Sequence, residues 1–375
     1  MAGAALGFVM LLSACTVGGG APITFTQVRL TGLHSAGEFD AMDIDQQSHR
    51  LFVADSTDSG VDVIDLASSP AKYTHTISLI ASPNGLAYAP DLKRLYVGLV
   101  GGSLAIVDEH DQVIKQTPTG GPTADLIEYS PSTHEVYAGI SKNQVARFDA
   151  VTGNLKNVIK LDTPGLEQPR YNPVDHLLYL TTDLGLYAIE PATGAVTNRV
   201  NLGNCAASGL AINTKTDQAL VACRTWVQRI NLHDTNDQQT FSEVEGGDII
   251  NYYPAEDRFL VGMPEAIPSG VAVLGGNPIR FIAIARTGGK GNSAALDEAT
   301  KVVYSPDTRP ATVGLVAFNL PSAQPGVTVD PMSVIELLGI VGVVALVVIV
   351  IGRGGDPNNR PEPLPKRRRS MLTRN

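Results

Sequence analysis

Seven polar residues recur along the chain at a nearly constant interval: Asp40, Asn84, Asp125, Glu167, Ser208, Asp248 and Asn292. All present a side-chain oxygen and four are acids, so a fold that gathers them builds a ring of hard donors. Carboxylates that converge without a cation repel one another and keep their protons to higher pH. Such donors suit Ca2+ or Mg2+, with Asp40, Asp125, Glu167 and Asp248 as the metal set. The competing expectation is a water-filled polar mouth that satisfies strand-end backbone groups. His-Glu-x-x-His, Cys-x-x-Cys and Gly-x-Ser-x-Gly are absent, so zinc, redox and nucleophilic catalysis have no visible carrier. Gly288 to Ser293 is glycine-rich but lacks the spacing of a phosphate loop.

Each member of the set lies four residues before an apolar or aromatic anchor: Ile44, Tyr88, Tyr129, Tyr171, Ile212, Tyr252 and Leu296. Eight residues after each anchor stands a second one: Phe52, Tyr96, Tyr137, Tyr179, Leu220, Leu260 and Tyr304. The first anchors are 44, 41, 42, 41, 40 and 44 residues apart, the length of one four-stranded propeller blade. Turn chemistry separates the anchors, as in Ala89-Pro90-Asp91 and Ser130-Pro131-Ser132, because proline fixes φ and removes a donor. Short β-branched and aromatic runs follow, such as Leu95-Tyr96-Val97 and Val136-Tyr137-Ala138, and read as buried strands. The expected fold is all-β: a seven-bladed propeller over residues 23–320, whose first strands line a central tunnel and bring the polar set to one mouth.

The last repeat runs into Pro321 and Pro325 before a fourth strand, and Ile23 to Thr31 reads as the missing one, closing the ring on blade seven. An Ile212–Leu220 pairing across the hairpin would put Gly209 opposite Cys223, with Cys205 four residues beyond. Met42, Leu86, Ile127, Pro169, Leu210, Ile250 and Ala294, two residues beyond the polar set, are expected on the same strand face, which confines polarity to one level.

The turn-plus-strand units Tyr88-Ala89-Pro90-Asp91 to Leu95-Tyr96-Val97, and Tyr129-Ser130-Pro131 to Val136-Tyr137-Ala138, resemble the YVTN-type β-propeller repeat family. The Tyr-Val-Thr-Asn string itself is absent; Leu-Tyr-Val-Gly and Leu-Tyr-Leu-Thr stand in its place. The resemblance implies a seven-bladed, secreted or surface-exposed propeller and leaves the mechanism open.

The flanks read as targeting signals. Residues 1–15 look like a bacterial lipoprotein signal ending at Cys15, though Met1-Ala2-Gly3 lacks a basic residue; an ordinary signal or uncleaved anchor is the alternative. A flexible tether, 16–22, leads to the propeller, and a linker, 321–333, leads out of it. Residues 334–352 carry one charge, Glu336, and are long enough to span a bilayer. Residues 353–375 hold seven basic side chains against Asp356 and Glu362, a net +5, which leaves −14 of the chain's −9 on the preceding 352 residues. Positive tails stay cytoplasmic, so the propeller is expected on the extracytoplasmic side of a bacterial membrane, with lipid as one partner. Its acidity argues against nucleic acid. In that oxidising compartment Cys205 and Cys223 would form a disulfide, or else remain two small buried hydrophobes.

Loops on the collar side are expected to carry His34, Glu38, Asp55, Asp58, Arg224, Glu265, Arg286, Lys290, Asp307 and Arg309. Two functions fit: a membrane-anchored module that binds a protein or small ligand, or a cation-dependent lactonase-like hydrolase with its site at the tunnel mouth. An accessory subunit of an electron-transfer enzyme is a third, for which the chain names no cofactor.

Overall fold

The computed structural model describes residues 23–33, 38–141, 143–310 and 312–322. The leader with Cys15, the tether, the linker beyond 322, the 334–352 segment and the basic tail lie outside them, as does His34. Among the described residues there is no helix, and none therefore long and apolar enough to cross a membrane.

Twenty-eight strands form seven four-stranded antiparallel sheets among the described residues. The inner strands are Phe39–Asp45, Pro83–Ala89, Ile127–Ser130, Pro169–Asn172, Leu210–Asn213, Ile250–Tyr253 and Ala295–Asp297. Six sheets are built from consecutive strands. The seventh takes three strands from Ala295 to Asn319 and its outer one from Thr26–Arg29, with Val28 opposite Leu315. The first and last described strands thus share one sheet, and neither is left as an unpaired end of the ring.

The anchors do not face each other across the hairpin as expected. Ile44 pairs with Leu51, Tyr129 with Val136 and Tyr252 with Phe259, each one residue short of the second anchor. Cross-strand partners share a face and neighbours along a strand do not, so the two anchors of a blade point to opposite sides. Each second anchor packs on the first anchor of the next blade. Ring centroids are 5.6 Å apart for Phe52 and Tyr88, 5.9 Å for Tyr96 and Tyr129, and 6.0 Å for Tyr137 and Tyr171. Tyr179 with Ile212, Leu220 with Tyr252, Leu260 with Leu296 and Tyr304 with Ile44 share the remaining cores. The eight-residue interval is the signature of blade-to-blade packing. Stacked aromatic pairs add roughly 0.5–1.5 kcal/mol each beyond area burial.

The one-residue offset comes from the turn. The fourth loop residue of every inner hairpin is left-handed: His49, Lys93, His134, His176, Asp217, Asp257 and Lys301, with φ between 49° and 63°. None is glycine, so each hairpin holds a strained residue. His134 Nε2 lies 3.1 Å from Asp91 of the preceding blade, and His49 Nδ1 lies 3.3 Å from Asp297 across the closure.

Cys205 and Cys223 are joined in a disulfide with Cα atoms 4.7 Å apart. The register here differs from an Ile212–Leu220 pairing: Leu220 faces Ala211, and Ser208 N–H bonds Ala222 O at 2.9 Å. A turn at Ala206, φ 47°, brings Cys205 back until its carbonyl accepts the Arg224 N–H at 3.0 Å.

Candidate functional site at the tunnel mouth

A repeated bulge builds the site. In blade 3 the Asp125 N–H donates to Gly139 O, and the Gly139 N–H donates to Leu126 O, so two inner-strand residues oppose one. Ser208 and Gly209 oppose Ala222 in the same way, as Asp248 and Ile249 oppose Gly262. Register shifts fall at the same place in blades 1 and 2, between Phe39 and Met42 and between Pro83 and Leu86. A bulge puts two successive side chains on nearly one side and breaks the strict alternation of a strand. Glycine lets neighbouring blades approach there: a Cβ on Gly85 would lie 2.6 Å from Asp125 O.

The expectation of one polar level is overturned in consequence. Met42, Leu86, Ile127, Leu210, Ile250 and Ala294 belong to the hydrophobic clusters that join neighbouring strands and blades, and Met42, Leu86 and Ile127 also border the turn-side cavity of the axis. The next tier inward from the collar is instead formed by Leu126, Gln168 and Ile249, all buried. Leu126 and Ile249, from blades 3 and 6, share one apolar cluster. Gln168 Oε1 accepts the N–H groups of Leu210 at 2.8 Å and Ile250 at 3.2 Å, linking blades 5 and 6 from blade 4. These side chains occupy the middle of the expected tunnel.

Above them the collar acids sense one another. Burial first, then repulsion from Asp125 and Asp248, pushes Asp40 up to about 7, against a 3.5 Å bond from Asn292 Nδ2. Asp248 is pushed up to about 7 by burial, then by Glu167, Asp125 and Glu265. Glu167, the most solvent-accessible of the four, reaches about 7 through partial loss of hydration and the charges of Asp125, Asp183 and Asp40. Asp125 is raised by burial. Ser208 turns inward, its Oγ 3.0 Å from Gly247 O. Among the described residues, no three His, Cys, Asp or Glu side chains gather closely enough to hold a metal ion. The acids therefore interact across the mouth without sharing a ligation sphere.

A cavity of about 950 Å³ opens here, lined by Asp40, Asn84 and Asn292 from the collar together with Glu38, Glu265 and Lys290. Val100, 45% exposed, and Ile267, 91% exposed, stand on its rim. Of the other loop residues, Asp307 is fully buried and paired with Arg309, and Arg286 bonds Pro268 O at 3.1 Å.

Sequence reasoning missed a second polar tier, one residue before each first anchor: Asp43, Glu128, Arg170 and Asn251, with Ala87, Ala211 and Ala295 in the other blades. Inner strands have a free edge toward the axis, and these side chains satisfy part of it. Asp43 Oδ2 accepts the Tyr88 N–H at 2.8 Å, and Glu128 Oε1 accepts that of Tyr171 at 3.3 Å. Arg170 donates to Glu128 Oε2 at 3.1 Å and, from blade 4 to blade 6, to Ile250 O at 3.1 Å. Burial pushes Asp43 up to about 6, moderated by the Tyr88 and Ile44 N–H groups and by Arg170. The available signal was the recurrence of charge one residue before the anchor, hidden by the assumption of unbroken alternation.

No protein-family model matches the chain, and no curated protein matches it either. Solved structures do. A chain in the crystal structure of the mitotic checkpoint complex aligns with a TM-score of 0.66 at 10% identity, covering 85% of this chain and 99% of that one. A chain of Kuenenia stuttgartiensis hydrazine synthase aligns at 0.62 and 15% identity, covering 79% and 100%. At such identities the likeness is one of fold, and it agrees with the blade count: the chain is a seven-bladed β-propeller.

Proposed function

We propose that this propeller is a binding module whose working surface is the loop-bearing mouth around the acid collar. The observation that carries the reading is the cavity of about 950 Å³, which sets Asp40 of the collar, with Glu38 and Glu265, beside an exposed apolar rim at Val100 and Ile267. Acids draw a basic group inward, while apolar side chains held in water gain by being covered. The seven collar residues Asp40, Asn84, Asp125, Glu167, Ser208, Asp248 and Asn292 are the proposed ligand set. A bacterial membrane anchorage through residues 334–352, with Cys15 lipidated, and membership of the YVTN-type repeat propellers belong to the same proposal; their support is in the sequence.

A photo-crosslinking residue at Ile267 tests the surface, with Val174 on the opposite, turn-bearing side as control. In native membranes the reading expects a specific adduct from position 267 and none from 174. Equal labelling from both positions sinks it.

The mutual repulsion of the four acids favours one alternative, a cation-dependent lactonase-like hydrolase in which Asp40, Asp125, Glu167 and Asp248 draw together on Ca2+ or Mg2+. Stoichiometric calcium by elemental analysis supports this alternative. No thermal shift at millimolar calcium, in the native chain or with Asp125→Ala and Asp248→Ala, removes it.

A further inference from the structure

A second cavity, of about 320 Å³, lies at the turn-side end of the axis, bounded by Thr214 and Pro254 of the inner hairpins. Asp43, Glu128, Arg170, Asn251 and Tyr253 face it. Leu126, Ile249 and Gln168 lie between it and the collar, so the two cavities are separate.

The fold accounts for only part of this chemistry. Accepting an inner-strand N–H requires an acceptor, and a neutral amide serves as well as a carboxylate. Blades 2, 5 and 7 carry Ala87, Ala211 and Ala295 at this level and need no polar group there. What remains is charge. Glu128 is matched by Arg170 at 3.1 Å, and the guanidinium's remaining bonds go to backbone carbonyls and to Asn251 Oδ1 at 3.4 Å. The Asp43 carboxylate receives only two backbone N–H bonds, from Ile44 and Tyr88, each at 2.8 Å. Each of its oxygens keeps a free lone pair. The pocket thus holds two carboxylates against one guanidinium, an excess of one negative charge beside apolar and aromatic side chains such as Met42, Leu86, Ile127 and Tyr253.

We infer that this turn-side pocket binds a compact organic cation, a primary ammonium group received by the Asp43 carboxylate with its alkyl part against the walls. The ammonium N–H groups donate to the free Asp43 lone pairs. The walls contribute apolar contact, and the volume limits the ligand to a small amine.

Titration of the purified protein with n-butylammonium, n-butanol and butyrate, followed by calorimetry at pH 7.5, tests this without a variant. The expected order is butylammonium at least tenfold tighter than butanol, and butyrate weakest. Asp43→Asn, which keeps an acceptor for Tyr88 N–H, should lose at least tenfold for butylammonium, while Asp234→Asn on an exposed loop outside both cavities should leave it unchanged. Equal affinity for amine and alcohol, preference for butyrate, no binding by any of the three, or sensitivity to Asp40→Asn instead of Asp43→Asn would each overturn the inference. The collar would also draw a basic group, and the two cavities share no lining residue, so comparing Asp43→Asn with Asp40→Asn makes failure of this inference distinguishable from failure of the proposed loop-face function.

Discussion

Stability should fall as pH rises from about 4.5 to 8, because the collar holds protons that the unfolded chain releases. Asp40 and Asp248 move from 3.8 to about 7 on folding. A raised carboxylate binds more protons in the native state across that window, so ΔG of unfolding declines with pH and levels off above about 7. Acids held low, such as Asp149 and Asp65, act in the opposite direction and only below about 4. A shift of about 3 units sets a ceiling of about 4 kcal/mol per group at about 1.36 kcal/mol per unit. The repulsion is shared between partners, and water and salt at the mouth screen it, so about 2–3 kcal/mol for the whole collar is the working figure. That lowers Tm by roughly 4–6 °C at about 2 °C per kcal/mol. Asp62 and Asp43, pushed up to about 7 and about 6, add to the same trend, so variants must isolate the collar. Asp125 repels Asp40, Glu167 and Asp248 alike, which makes Asp125→Asn the sharpest perturbation. It should raise Tm by a few degrees at pH 8 and leave it nearly unchanged at pH 4.5, read by circular dichroism at constant 0.15 M salt. A wild-type Tm at pH 8 equal to or above that at pH 4.5, or no gain at pH 8 from Asp125→Asn, would refute the reasoning.

Other outcomes follow from the packing. Lys93 is exposed and left-handed at φ 50°, so Lys93→Gly should relieve roughly 1 kcal/mol of strain and raise the urea midpoint. Tyr137 is fully buried, stacked on Tyr171, and donates its hydroxyl to Glu135 Oε2 at 2.6 Å. Tyr137→Ala should therefore cost about 3–5 kcal/mol. Tyr137→Phe should lose only the hydrogen bond to a charged group, about 1.5–3 kcal/mol, and equal losses in the two would show that the stack contributes nothing. Val28 closes the ring in an apolar cluster, so Val28→Asp buries an unpaired charge and should lower Tm sharply, whereas Gln27→Asp on its exposed side should not.

The blade period, the seven repeats and the closing strand were legible because the blades repeat local chemistry: a four-residue turn, opened by proline in four of the seven, and an apolar run rich in β-branched and aromatic residues after it. The nearness of the four acids Asp40, Asp125, Glu167 and Asp248 was legible too, since equal offsets in a ring converge by symmetry. The pairing register was not, because it depends on a left-handed residue such as His49 or Asp257 that no glycine announces. One residue of register sends Phe52 toward Tyr88 of the next blade instead of toward Ile44 of its own. Nor was the inner bulge visible, and with it went the second polar tier of Asp43, Glu128 and Arg170. The sequence alone determined how many units there are and which residues recur in them, because those follow from chemistry repeated along the chain. Only the tertiary structure decided which face each recurring residue takes and how far the axis stays open, since both depend on side chains such as Gln168 and Arg170 meeting strands some eighty residues away.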